Sequence, residues 1–338
     1  VRTILAPFGL AYGELASLRR RFYSLALLKS ERLLKPVVSI GNLTVGGTGK
    51  TPVVDAILEQ IEKQGLSACV LSRGYGRKNS ISKPLLLSQS TKAIEGGDEP
   101  VWLARRHPKS VVAVHSDRIA SSTAVPNVDL YILDDGHQHL QIQRDLDIVL
   151  LDCTRPFWHY HPLPWGYARE GFSSLQESDI VILTRVNQSD PAQIEAILKI
   201  LSSLKITSVI KCEIKAGHCE ELKSRDAVEI RGKRTYLVSG IGNPESFEKS
   251  VGSSGAMIVG HDKRADHFQY TEKNIAAFMK AAKGKNSEIL LLTEKDAVKW
   301  EEFHIPSSGT LKIAKLLTTL EFNPPLPRIY DLALKRFC

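Results

Sequence analysis

"GNLTVGGTGKTP", residues 41–52, follows the short apolar run Val37-Val38-Ser39-Ile40. Gly46, Gly47 and Gly49 let backbone N–H groups turn inward toward phosphate oxygens. Lys50 can reach a β- or γ-phosphate, and Thr51 offers a hydroxyl to Mg²⁺. Pro52 suits the first turn of the next helix, whose positive end favours an anion. Strand, glycine-rich loop, Lys-Thr and helix thus stand in the order of a nucleotide site. Thr44 departs from G-x-x-x-x-G-K-[ST], which has its first glycine there. The plain alternative is a glycine-rich turn with an incidental lysine, and the strand–loop–helix context speaks against it.

Working outward, short runs rich in Val, Ile and Leu recur at 37–40, 68–71, 111–115, 130–133, 148–151 and 180–184. They do not alternate, as expected of strands covered on both faces. Helices fit between them, at 51–64 and 99–106 for example. This is an α/β chain with a mostly parallel sheet and helices on both faces. After Asp190 the pattern weakens, and "VIKCEIKAGH" reads as a connecting ribbon. The αβ rhythm resumes at 235–239, 256–259 and 289–292. The expected division is a basic N-terminal segment at 1–36, a nucleotide-binding domain at 37–204, a ribbon at 205–228 and a smaller α/β domain at 229–338.

The 338 residues carry a formal net charge of +8, which favours anionic partners: nucleic acid, membrane surface or a phosphorylated substrate. The basic residues are spread along the chain and no RNA-binding aromatic motif occurs, so nucleic acid is not expected. The five cysteines, with no C-x-x-C, read as reduced thiols of a cytosolic compartment. The uncharged run from Thr3 to Gly13 is too short to cross a bilayer, and no small-residue cleavage site follows it. Leu15, Leu18, Phe22, Leu25 and Leu28 recur at helical spacing beside Arg19, Arg20 and Arg21. Such a helix either lies on an anionic membrane surface or packs on the domain with its basic face in water.

Other stretches carry chemistry. "LYILDDGHQH" ends an apolar strand in Asp134-Asp135, the form of an element that holds Mg²⁺ beside a bound nucleotide. His137 and His139 would be zinc ligands only if the phosphate loop were disregarded. His139 reads equally as a supporting residue or a substrate contact. "GGDEP" places Asp98 where an N-cap is usual, although a proton-accepting base is the other possibility. "LSRGYGRK" gathers Arg73, Tyr75, Arg77 and Lys78 at a strand end, where α/β sheets bind ligands. His267, in "RADHF", is an ordinary surface histidine by its surroundings.

In order, "VSIGNLTVGGTGKTP", "SRGYGRK", "GDEP", "DDGHQH", "GIGNP", "ADHF" and "LTEKDAVK" resemble the tetraacyldisaccharide 4'-kinase family, from about residue 4 to beyond 300. Thr44 is ordinary in that family, which carries Thr-Val/Ala-Gly-Gly here. The resemblance implies a P-loop lipid kinase of two α/β domains joined by a β-ribbon hinge. Its partners would be ATP, Mg²⁺, a lipid A precursor disaccharide and an anionic membrane. It would act as a monomer, peripheral on the cytoplasmic face of the inner membrane. The loop Thr44, Val45, Gly46, Gly47, Thr48, Gly49, Lys50 and Thr51 would bind ATP, with Lys50 also catalytic. Asp98 would be the base and His267 its partner. Asp134 and Asp135 would organise Mg²⁺ with Thr51 and Glu170. Arg73, Tyr75, Arg118 and His139 would meet the headgroup or the transferring phosphate. Pro164-Trp165-Gly166-Tyr167 departs from the family's Pro-Ala-Gly-Pro, which bears on Glu170. A soluble P-loop ATPase or small-metabolite kinase is the rival expectation.

Overall fold

The computed structural model describes residues 2–74, 82–305 and 309–338; Tyr75, with Arg77 and Lys78, lies outside the described residues. The strands in chain order are β1 (Val37–Asn42), β2 (Ala68–Ser72), β3 (Leu85–Leu86), β4 (Val111–Val114), β5 (Leu130–Asp134), β6 (Leu146–Asp152) and β7 (Ile180–Thr184). Then follow β8 (Val209–Glu221), β9 (Ala227–Val228), β10 (Arg234–Ser239), β11 (Met257–Lys263), β12 (Ile289–Thr293) and β13 (Lys312–Asn323). Among the described residues they form one sheet in the order β11-β10-β12-β13-β8-β7-β6-β1-β5-β2-β4-β3, with β9 beside β8. Most neighbours are parallel; β3–β4, β8–β9 and β8–β13 are antiparallel.

The run Val37 to Ile40 sits at the centre because its side chains have apolar partners on both faces. Val38 and Ile40 join one core cluster with Val53, Val54, Ile57, Leu58 and Ile61 of the helix Lys50–Lys63. Val37 points into the opposite cluster with Leu71, Tyr131 and Leu133. Burial on both faces removes the alternation that a half-exposed strand would show. The second lobe repeats the scheme around Leu290, Leu292, Phe278 and Trp300.

Two expectations need adjustment. The ribbon at 205–228 is one half of a pair, since β8 runs antiparallel to β13. The chain then returns to the first lobe. Helix Ile329–Phe337 inserts Ile329 and Ala333 among Val38, Ile148 and Ile57, so 229–338 is not a single unit. The N-terminal helix, Ala6–Ser24, does not bury its large apolar residues in the domain: Leu15, Leu18 and Phe22 are exposed, as are Leu25 and Leu28, which lie past its end. It docks instead through Gly9 and Gly13, where a β-carbon would fall 2.6 Å from Trp165 Cβ and 3.0 Å from Pro162 Cγ.

Candidate active site

Parallel strands leave their carboxyl ends on one edge, and ligands bind there. The first lobe brings to that edge the loop after β1, Ser72 at the end of β2 with Arg73 after it, Asp134-Asp135 at β5, Asp152 at β6 and Arg185 after β7. The second lobe turns its own carboxyl edge toward them, with Gly242 and Asn243 after β10, Asp266 and His267 after β11, and Lys295 after β12. All of these except the buried Asp152 line a cleft of about 730 Å³.

The phosphate loop has the backbone its glycines predict: φ is +99° at Gly46 and +90° at Gly49, a region that side chains rarely enter. All of Val45 to Thr51 line the cleft. Thr44 is buried, bridged to Ala168, and its carbonyl takes an Asn42 amide hydrogen bond at 2.6 Å. Its work is to fix the loop's entry. Thr48 is also buried, its carbonyl accepting from the Thr184 hydroxyl at 2.9 Å.

Lys50 Nζ lies 3.1 Å from Asn42 Oδ1 and 3.3 Å from Asp135 Oδ1. Arg169 forks Asp135 at 2.8 and 2.9 Å, and also donates to Asn42 Oδ1 at 2.9 Å. Burial would raise the Asp135 carboxyl, but the Lys50 charge and the Arg169 hydrogen bonds hold it well below the usual range. Asp134 behaves oppositely. Burial and the charges of Glu99 and Asp135 lift it to about 6, against Lys50 and a 2.9 Å hydrogen bond from Ser72. The two neighbours thus differ: one is neutralised by cations, and the other is short of positive charge.

Across the cleft, His267 Nδ1 is 2.8 Å from Asp98 Oδ1. Lys299 lies 3.3 Å and Lys295 3.7 Å from Asp98 Oδ2. These lysines are one turn apart on helix Glu294–Trp300 and so share a face. Burial would raise the Asp98 carboxyl, yet the His267 hydrogen bond and the two lysine charges keep it ionised far below its ordinary range. Asp98 is not the N-cap that local sequence suggests. Gly97, at φ +89°, takes that position, and Asp98 is the first residue of the helix Asp98–Arg106. Its freed carboxylate points at the other lobe. His267 lines the cleft, and Asp98 sits behind it.

Arg73 and Arg118 line the cleft near Asp134. Arg118 is buried and donates to the Asp134 carbonyl at 3.1 Å; its other amino group meets His139 Nδ1 at 3.3 Å. Burial and the charges of Arg118, Arg144 and Arg19 push His139 down to about 4. His139 therefore supports Arg118 and does not itself line the cleft. Glu170, expected beside the metal, is turned away. It is buried 2.5 Å from Arg20 of the N-terminal helix and 3.4 Å from His137. His137 lies 2.9 Å from Asp147, and no cluster of three or more His, Cys, Asp or Glu fit for a metal occurs among the described residues.

Sequence reasoning passed over several residues here. Asn42 and Arg169 shape Lys50 and Asp135. Arg185 donates to the Gly47 carbonyl at 3.2 Å, to Asp152 at 2.6 Å and to Ser246 of the second lobe at 3.1 Å. Lys295 and Lys299 lie inside "LTEKDAVK", a stretch whose polar character was visible but whose target was not.

The model of the family described as tetraacyldisaccharide-1-P 4'-kinase matches residues 1–331. A tetraacyldisaccharide 4'-kinase of Pelobacter propionicus is 36% identical over 332 residues, covering 96% of this chain and 90% of that one. One of Bdellovibrio bacteriovorus is 34% identical, covering 88% and 89%. The fold is similar to that of LpxK from Aquifex aeolicus, solved in complex with ATP, with a TM-score of 0.73 and 24% identity over 100% of this chain and 99% of that one. The chain is a kinase of lipid A biosynthesis and belongs to the tetraacyldisaccharide-1-P 4'-kinase family.

Proposed function

We propose that the chain moves the γ-phosphoryl group of ATP to the 4'-hydroxyl of a tetraacylated glucosamine disaccharide 1-phosphate. The observation that carries this is the Asp98–His267 pair facing a complete phosphate loop across one cleft. Ionised Asp98 holds His267 Nδ1, and the imidazole, which lines the cleft, would accept the proton at Nε2, where Lys295 Nζ lies 3.4 Å away and yields to the acceptor hydroxyl. The hydroxyl proton passes to this pair as the sugar oxygen bonds to phosphorus. The bond from the γ-phosphorus to the bridging oxygen breaks, and ADP leaves. Lys50 offsets charge on the transferring group, while Arg73 and Arg118 receive anionic parts of the acceptor.

Mg²⁺ fits the donors present. Hard oxygens from Thr51, Asp134 and Asp135 share the cleft, and burial with the neighbouring carboxylates outweighs the Lys50 charge at Asp134. Asp134 and Thr51 would hold the ion, with Asp135 already engaged by Arg169 and Lys50. Bound there, it would neutralise phosphate charge.

A lipid acceptor requires a surface to meet it. No described helix is long and apolar enough to cross a membrane. The helix Ala6–Ser24 instead exposes Phe8 at 64% and Leu15 at 66%, beside basic Arg19 and Arg21. This supports seating on an anionic membrane surface, the cytoplasmic face of the inner membrane. The test is transfer of labelled γ-phosphate from ATP to a tetraacyldisaccharide 1-phosphate in mixed micelles, with and without Mg²⁺. Labelled lipid only with Mg²⁺ is expected. Nucleotide hydrolysis with no labelled lipid would overturn the reading.

A further inference from the structure

Arg20 stands apart on the N-terminal helix. Its neighbours Arg19 and Arg21 are exposed, yet Arg20 is 5% exposed. One of its amino groups reaches Glu170 at 2.5 Å and the His137 carbonyl at 3.0 Å; the other reaches Glu177 at 2.8 Å. His137, fully buried, abuts the end of β1: a β-carbon on Gly41 would fall 2.5 Å from His137 Cβ. A parallel contact leaves the preceding residue. Arg19 donates to the Gln138 carbonyl at 3.1 Å, and the Gln138 amide donates to the Asn42 carbonyl at 3.0 Å.

The neighbour of Glu170 completes the path. The chain bends after the single bridge at Ala168, and the next two side chains find different partners: Arg169 turns to Asp135 and Glu170 to Arg20. The Arg169 backbone is held by the Leu43 carbonyl at 2.7 Å. Glu170 is drawn to the helix, while Arg169 forks Asp135 and touches Asn42, both of which hold Lys50. The helix and the phosphate site thus grip two consecutive residues. As mere stabilisation this is a poor device, because a buried ion pair seldom outperforms apolar packing of the same volume.

We infer that Arg20 is a positioning residue for phosphoryl transfer. Through Glu170 it fixes the placement of Arg169, and so aims Asp135 and Lys50 at the nucleotide phosphates. Seating of the N-terminal helix is thereby coupled to readiness of the phosphate loop. The inference rests on the kinase reading for its purpose. Its test, however, needs no lipid acceptor.

The experiment is a double-mutant cycle with Arg20→Ala and Arg169→Ala in the full chain, read as the dissociation constant of a fluorescent ATP analogue with Mg²⁺. Each single variant is expected to weaken binding about 3- to 10-fold, and the double variant no more than about twofold beyond Arg169→Ala. Independent effects that multiply, or unchanged binding in Arg20→Ala, overturn the inference. Should Arg20→Ala fail to fold, Arg20→Lys and Glu170→Gln replace it under the same criterion. Arg20→Lys keeps the charge without the fork and is expected to recover part of the affinity. Loss of lipid phosphorylation in the unaltered protein would count against the proposed function and leave this cycle unaffected.

Discussion

Gly242 of the second lobe rests against Gly47 of the phosphate loop so closely that a β-carbon on Gly242 would lie 2.6 Å from the Gly47 nitrogen. Asp266 Oδ2, at 3.1 Å, could move, but the Gly47 nitrogen and its Cα at 3.1 Å are backbone and cannot swing aside. Gly242→Ala should therefore hold the lobes apart. The expected result is a kcat reduced roughly 10- to 100-fold by misplacement of the lobes, with a thermal midpoint near that of the parent. Steady-state kinetics beside thermal unfolding check it, and an unimpaired kcat would mean that this contact is not needed in the working state.

Asp98 and His267 come from different lobes, so removing either should damage the chemical step and spare the nucleotide. For Asp98→Asn and for His267→Ala, kcat is expected to fall about 10²- to 10⁴-fold. The dissociation constant for nucleotide should change no more than about threefold, since neither touches the phosphate loop. Near-parental turnover in both variants rules out the pair as base.

A pH effect on stability is expected at His107, whose partner Asp55 lines the cleft. His107 caps the helix that begins at Asp98 and contacts Asp55 at 2.8 Å and Glu62 at 3.1 Å, both on the helix that follows the phosphate loop. Arg106 shares Asp55 at 2.6 Å, and Ser110 shares Glu62 at 2.8 Å. Burial alone would lower the His107 pKa, but the two carboxylates outweigh it and raise it. A raised folded-state pKa stabilises fully below the unfolded value near 6.5, and the gain is lost as pH climbs through the folded value. Urea unfolding at pH 6 and pH 9 should show the advantage over His107→Gln at the lower pH, shrinking at the higher. An advantage that grows with pH contradicts the assignment.

The exposed leucines of the N-terminal helix should matter to membranes and hardly at all to folding. Leu15→Glu with Leu18→Glu is expected to cut sedimentation with anionic vesicles by about tenfold or more, because both apolar area and net positive charge fall. The unfolding midpoint should stay within roughly 2 °C of the parent. Undiminished vesicle binding would assign those residues another role.

Where the physics is local, the sequence was legible. The first lobe's strands show as apolar runs, and the phosphate loop and Asp134-Asp135 announce themselves by residue type and order. The N-terminal helix was legible as basic and amphipathic, but not the inward turn of Arg20. Asp98 misled by a local rule, since an Asp before a helix usually caps it; here a glycine at positive φ does. His267 gave no sign of Asp98, which lies 169 residues earlier in the chain. Glu170 was drawn toward the metal by family likeness, and only the packing of Arg20 shows what occupies it. The return strand β13 went unread because its 12 residues alternate weakly and only β8 and β12 determine its place.

The two lobes are joined through paired strands, from β7 through β8 and β13 to β12. Such a connection acts as a torsion bar and not as a loose joint. Any swing of one lobe must be taken up as twist along paired strands, which resist it and drive the lobes back. The irregularity between Leu316 and Thr318, opposite Gly217, interrupts the pairing midway. Compliance gathers there, and amide exchange across the ribbon should be fastest at that point and slow on either side.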